Sequence, residues 1–168
     1  MTTDLHTSAE TARLHAEHTI RATPESVFAL LTDPSKHHLT EPTDWVRGSL
    51  ETDPARITEL DQVFGMEMFH VNAGGRYEMH NRVLVLEPDR AISWAPSQYG
   101  ADGTLQGGGW IWRYDLAPDP AGSRVRLTFD WTATPPQLAV ELGFPPFEKE
   151  FLDRSLAALA DAVEDSSA

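Results

Sequence analysis

Hydrophobic and polar positions along the chain follow two periods, and the first to appear is the period of two. Leu14, Ala16, His18 and Ile20 interleave with His15, Glu17, Thr19 and Arg21, the alternation of a strand with one buried face. Thr23-Pro24-Glu25 then supplies an N-cap hydroxyl, a pre-set first helical φ and a negative charge at the positive end of the dipole. Val27, Phe28, Leu30 and Leu31 form the apolar stripe of that helix, and Asp33-Pro34 ends it. One further helical turn fits between Ser35 and Leu39, before Glu41-Pro42.

From Trp45 to Thr134 the pattern is extended throughout, and it predicts strands near 45–51, 63–71, 76–87, 91–98, 109–117 and 124–134. Turn chemistry separates them. Asn72-Ala73-Gly74-Gly75 suits a hairpin, Glu87-Pro88-Asp89-Arg90 resembles a type I turn, and Asp119-Pro120-Ala121-Gly122 closes another pair. Gly100 to Gly109 reads as a longer glycine-rich connection. Pro135-Pro136 stops the last strand, and Pro145-Pro146 opens a helix to about Glu164, on which Phe151, Leu152, Leu156, Leu159 and Val163 share one stripe. A strand, two short helices, an antiparallel meander and a long amphipathic helix make an α+β fold, the helix lying across a strongly curved sheet of about seven strands.

Composition narrows the partners. The 168 residues carry 13 basic and 26 acidic side chains, a net charge of −13. Such an excess repels phosphate backbones and anionic lipid heads, so neither nucleic acid nor a membrane surface is an expected partner. The absence of cysteine removes disulfides, thiolate metal sites and cysteine nucleophiles together. No apolar run approaches the length of a membrane span, and Met1 to Glu10 lacks the apolar core of a secretory signal, so the expectation is a cytoplasmic protein, monomer or homodimer. One domain over 13–164 is expected, with tails at 1–12 and 165–168.

Three stretches carry a resemblance. Ile20 to Pro34, Val83 to Arg90 and Arg154 to Ala160 are similar to the opening strand and capped helix, the central strand and turn, and the C-terminal helix of the START-like, or SRPBCC and Bet v 1-like, superfamily. The chain resembles in particular its polyketide cyclase/dehydrase and Hsp90-ATPase-activator branches. The resemblance implies the helix-grip fold, and its members include lipid and hormone carriers, cyclases, aromatases and chaperone-associated domains.

If the long helix closes a curved sheet, one face of each strand lines a cavity. Alternation puts Phe64, Met66, Met68 and His70 on that face, with Tyr77, Met79, Asn81, Val83 and Val85, then Trp110, Trp112, Tyr114 and Leu116, then Val125, Leu127, Phe129 and Trp131. Arg76, Glu78, His80, Arg82, Arg113, Asp115, Arg124, Arg126 and Asp130 face water. The inward set is either plain core or a soft, adaptable lining for a flat or greasy ligand. For the second reading the binding residues are Phe64, Met66, Met68, Tyr77, Met79, Asn81, Trp94, Trp110, Trp112, Tyr114, Phe129 and Phe151, with Asn81 and Tyr114 orienting the ligand.

Polar candidates are few. Glu148 falls at the angle of Ser155 and Leu159 within the apolar stripe, where it either points inward as a desolvated acid or sits in the first turn and reaches solvent. His70 and His18 are either core and surface histidines or pocket groups able to move protons. The histidine spacings do not suit a metal, no cofactor motif occurs, and Gly107-Gly108-Gly109 lacks the setting of a phosphate loop, reading as a mobile loop at the cavity mouth. Three functions are implied by the resemblance. The first is binding of a hydrophobic or aromatic small molecule such as a lipid, isoprenoid or polyketide. The second is a polyketide cyclase or aromatase-dehydratase using His70, Tyr114, Glu148 or Asn81 as its polar group, and the third an Hsp90-activator-like interaction module.

Overall fold

Thr23 caps the first helix as its sequence requires: the Ser26 N–H donates to Thr23 Oγ1 at 3.2 Å, and Pro24 occupies the first helical position. The structure is a computed structural model that describes residues 12–166, so most of the expected N-terminal tail lies outside the described residues. In it, β1 (Arg13–Ile20) leads into α1 (Pro24–Leu31) and a 3-10 turn, Pro34–Thr40. Asp33 ends α1 and also caps that turn, accepting from the Ser35 N–H at 3.1 Å. The strands then run β2 (Val46–Ser49), β3 (Val63–His70), β4 (Gly75–Glu87), β5 (Ala91–Tyr99), β6 (Leu105–Gly107), β7 (Ile111–Asp119) and β8 (Gly122–Asp130). Two helices complete the chain, α2 (Pro136–Leu142) and α3 (Lys149–Ser166).

All pairings are antiparallel and the path across the sheet is β1-β8-β7-β5-β4-β3-β2. The first two strands therefore form opposite edges, spanned by α1 and the 3-10 turn. Across the concave face lies α3, with Leu152, Leu156 and Leu159 fully buried and Phe151 and Val163 nearly so, the predicted stripe. Facing them from the sheet are Ala16, Ile20, Val83, Ile92, Tyr114, Leu116, Val125 and Leu127. This is the α+β helix-grip arrangement expected of the sequence.

Several boundaries and faces differ from the sequence pattern. The final helix starts at Lys149 rather than after Pro145-Pro146, and it continues through Ser166 into the expected tail. Pro135-Pro136 does not merely stop a strand, since Pro136 opens α2, a seven-residue helix ended by Gly143 in the left-handed conformation. The glycine-rich connection after Gly100 contains a strand, β6, paired on the second half of β5. Asp89 has φ 61°, so the Glu87–Arg90 turn is of the type II kind, with a positive φ at its third residue, and not type I.

The most consequential difference is a bulge in β4. Val83 pairs with Trp94 and Val85 with Ser93, so Leu84 is an extra residue and parity reverses beyond it. Leu86 packs against the core where alternation had placed Val85. Leu84 is left exposed. Elsewhere the predicted inward rows hold, with Phe64, Met66, Met79, Asn81, Tyr114, Leu116, Val125, Leu127, Phe129 and Trp131 all buried.

Candidate functional site

Sheet curvature and the divided edge of β5 create the site. The first half of β5 pairs with β7 (Ala91 to Trp94), and the second half pairs with β6 (Ser97 to Tyr99). Between β6 and β7 the chain passes through Gly107-Gly108-Gly109, and the sheet opens there. Gly109 makes this possible: at φ 99° it approaches the 131–134 turn so closely that a Cβ would lie 2.6 Å from the Ala133 carbonyl. Gly108 borders the opening, as expected, though Leu105–Gly107 is paired strand rather than loop.

Two adjoining cavities lie against the sheet, the inner one closed by α3 and the outer one by the segment from Leu142 to Pro146. The outer one is a cleft of about 610 Å³, walled by Tyr77, Trp110, Phe129, His70 and, from the α2 side, Leu142, Phe144 and Pro146. The inner one is a chamber of about 90 Å³ walled by Met66, Asn81, Trp94, Tyr114, Phe151 and Ser155, with His37 and Thr40 from the 3-10 turn and Glu41 immediately after it. They share Trp45, Met68, Met79, Pro96 and Trp112 as common walls. Rings order the partition: Trp112 stacks on Phe147 at 5.6 Å, and Trp45 meets Phe147 and Phe151 edge-on at 5.9 and 5.7 Å. The Trp45 indole N–H also donates to the Tyr77 hydroxyl at 2.5 Å, tying β4 to the segment before β2.

Eleven of the twelve expected binding residues thus touch one cavity or the other. Phe64 does not; it packs edge-on behind His37 and Trp94, at 5.1 and 5.5 Å. Glu148 lies outside the cavity, exposed and one residue before α3, so its carboxylate reaches solvent and not the stripe. His18 is not a pocket group either, because its ring turns to α3 and stands 3.6 Å from Asp153. His70 does wall the outer cleft, with Nδ1 accepting from the Asn72 N–H at 3.1 Å.

The inner chamber holds Asn81 and Tyr114, the polar residues the pattern singled out, together with His37, Thr40 and Ser155, which it did not. His37 is buried, its Nε2 2.7 Å from the Leu31 carbonyl at the end of α1 and its ring stacked on Trp94 at 5.1 Å. Burial pulls its pKa down to about 4, against the Leu31 hydrogen bond and the Asp33 charge, so the ring is neutral at physiological pH. Tyr114 is buried too, and desolvation pushes its hydroxyl up to about 12, so it stays protonated. Beside it Ser155 Oγ donates to the Thr40 carbonyl at 2.5 Å and Thr40 Oγ1 to the His37 carbonyl at 2.8 Å. The Tyr114 hydroxyl lies within hydrogen-bonding reach of both of these hydroxyls, whose oxygens can accept from it. Among the described residues no Lys or Arg walls either cavity. The single carboxylate, Glu41, is occupied by the Thr43 N–H and hydroxyl (2.9 and 2.6 Å) and the Trp45 N–H (2.9 Å).

Of these, Ser155 carried a sequence signal, a hydroxyl inside the apolar stripe of the last helix. His37 carried none beyond its adjacency to His38, because a single 3-10 turn has no periodicity to read.

A helix gripped by a curved antiparallel sheet over an apolar, aromatic-walled cavity defines the START-like, Bet v 1-like class of proteins. Within it, the chain belongs to the family described as polyketide cyclase / dehydrase and lipid transport, whose model matches residues 11–164. A relative of Mycobacterium tuberculosis, an uncharacterised protein, is 24% identical over 144 residues, 86% of this chain and 57% of its own length. The chain spans little more than half of that relative. Among solved structures, protein NE0264 of Nitrosomonas europaea aligns over 94% of this chain and 97% of its own, with TM-score 0.68 and 15% identity. Protein CV1439 of Chromobacterium violaceum covers 91% and 98%, with TM-score 0.63 and 21% identity. An AHSA1-like protein of Aeromonas hydrophila covers 92% and 94%, with TM-score 0.56 and 18% identity. These identities show a common fold. No helix of the described residues is long and apolar enough to cross a membrane.

Proposed function

We propose that the protein binds a hydrophobic or aromatic small molecule against the sheet, with the ligand body in the outer cleft beside the 142–146 segment and one end reaching the inner chamber under α3. The observation that carries this reading is the pair of cavities itself. A cleft of about 610 Å³ falls within the usual range for sites that bury a small ligand, and its walls combine indoles, phenyl rings and thioethers with polar points from His70, Asn72, Tyr77, Ser97, Gln98 and Gln106. Met68 and Met79 stand in the shared wall, and the soft, unbranched thioether can swing aside for a guest without breaking a hydrogen bond. Native mass spectrometry of the purified protein, followed by denaturing extraction, tests it. A lipid, isoprenoid or polyketide-like mass leaving with the protein is the expected result; a clean mass that also fails to take up added apolar probes would count against it.

A second reading, proton-transfer chemistry on such a ligand, has one observation in its favour. His70 walls the cleft with Nδ1 accepting a backbone N–H, which leaves Nε2 as the protonated nitrogen of the neutral ring and a ready donor. Tyr114, held protonated, can donate but not serve as a base at neutral pH. On this reading His70→Ala should lower turnover of the extracted compound by about a hundredfold with little change in its affinity. Equal losses in both would assign His70 to binding alone.

A further inference from the structure

Resting on the ligand-binding reading above, we infer that the inner chamber receives a neutral hydroxyl, so that the ligand is an uncharged apolar molecule entering hydroxyl-first, its O–H donated to His37 Nδ1 and its oxygen accepting from Asn81. The geometry of His37 sets the first half of that pairing. Its Nε2 lies 2.7 Å from a backbone carbonyl, which can only accept, so Nε2 carries the ring proton. In the neutral ring Nδ1 is then a bare lone pair, and no described residue donates to it. The stack on Trp94 and the edge contact with Phe64 hold the imidazole so that it cannot turn to satisfy itself elsewhere.

Asn81 supplies the second half. It is only 6% exposed, lines the chamber, and its carboxamide makes no hydrogen bond with any described residue. Its register partner on β5 is Pro96, which has no N–H to offer. The amide is thus open to the chamber, with no partner among the described residues, and a guest's polar group can complete it there. A hydroxyl is the smallest group that both donates to a fixed acceptor and accepts from an amide. A carboxylate fits poorly, since it has no proton for Nδ1 and meets no cation among the walls, only Glu41. The chamber's volume of about 90 Å³ suits the end of a molecule and not its body.

Four probes of one shape test this by titration calorimetry: 4-phenylphenol, its methyl ether, biphenyl and biphenyl-4-carboxylate. The phenol should bind about tenfold more tightly than the ether or biphenyl, and the carboxylate most weakly. In Asn81→Leu the phenol's advantage should shrink by several-fold while biphenyl binds as well as before. Independently of any variant, imidazole ¹⁵N spectra of the unaltered protein should show His37 Nδ1 unprotonated and shifting with the phenol but not with biphenyl. A protonated Nδ1, or the carboxylate binding tightest, would overturn the inference. If all four probes bind alike, this inference falls and the cavity reading stands. If none binds, both fall.

Discussion

Replacing Trp112 by arginine is expected to abolish ligand uptake and leave the sheet folded. Trp112 sits on β7 between Trp94 of β5 and Phe129 of β8, and its indole belongs to the walls of both cavities. It stacks on Phe147 at 5.6 Å and tilts against Phe129 at 4.8 Å, so one ring organises the partition between chamber and cleft. Arginine removes an aromatic surface of roughly 200 Å² and places a guanidinium where among the described residues no carboxylate is free to meet it. The substitution is tolerable to the fold because the indole is only partly buried, and a long side chain can run its charged end out through the open cleft. Affinity for 4-phenylphenol should fall by on the order of a hundredfold or more, while far-UV circular dichroism stays the same. Trp112→Phe should keep most of the affinity. Undiminished binding in Trp112→Arg would place the ligand somewhere other than in these two cavities.

Acidification should weaken the fold through His37 before the carboxylates begin to titrate. The imidazole has a pKa of about 4 in the folded protein, lowered by burial, against an ordinary 6.5. The unfolded chain therefore takes up the proton first, and stability that is fully present above pH 6.5 is lost as pH falls toward 4, with no further loss from this group below that. The difference corresponds to about 3 kcal/mol across the window, most of it between pH 6.5 and 4.5. Asp33 and Asp130 are held below the ordinary carboxylate range, so their protonation costs stability only at lower pH. Urea unfolding at half-unit steps from pH 7 to 4 should show the slope, and His37→Phe should flatten it whatever that variant's stability at pH 7. A slope unchanged in His37→Phe would mean that the ring is not held neutral by burial.

Much of the architecture was legible in the sequence because the relevant signals are local. Ile20 to Pro34 contains strand, cap, helix and stop within fifteen residues, and each acts on its immediate neighbours. The aromatic alternation from Trp110 to Leu116 and from Val125 to Trp131 needs only a period of two to assign faces. Glu148 shows the limit of that reasoning. A helical wheel begun at Pro145-Pro146 puts its carboxylate in the apolar stripe, but the helix starts at Lys149, and one turn of error at a terminus is enough to carry a side chain from cavity to solvent.

The β4 bulge shows another limit. No residue between Val83 and Leu86 announces it, and it exists because Val83 and Val85 pair with consecutive residues of β5. Pairing is a property of two strands, so parity beyond Leu84 was not available from one. Those β4 residues that wall the cavity, Tyr77, Met79 and Asn81, precede the bulge and keep the predicted face.

By itself the sequence determined the class of fold and the apolar, aromatic character of the surface between sheet and helix, since amphipathic periods and turn chemistry act over a few residues. Only the tertiary structure decided that this surface encloses a divided cavity, and that His37, Thr40 and Ser155 join Asn81 and Tyr114 in its inner part. His37 comes from a 3-10 turn, Asn81 from the middle of the sheet, Tyr114 from the far side of β5 and Ser155 from the last helix. Residues so far apart in the chain become neighbours only when the sheet curls around α3, and the state of each one, a neutral imidazole, a protonated phenol, an unpartnered amide, is set by the desolvation that this closure imposes.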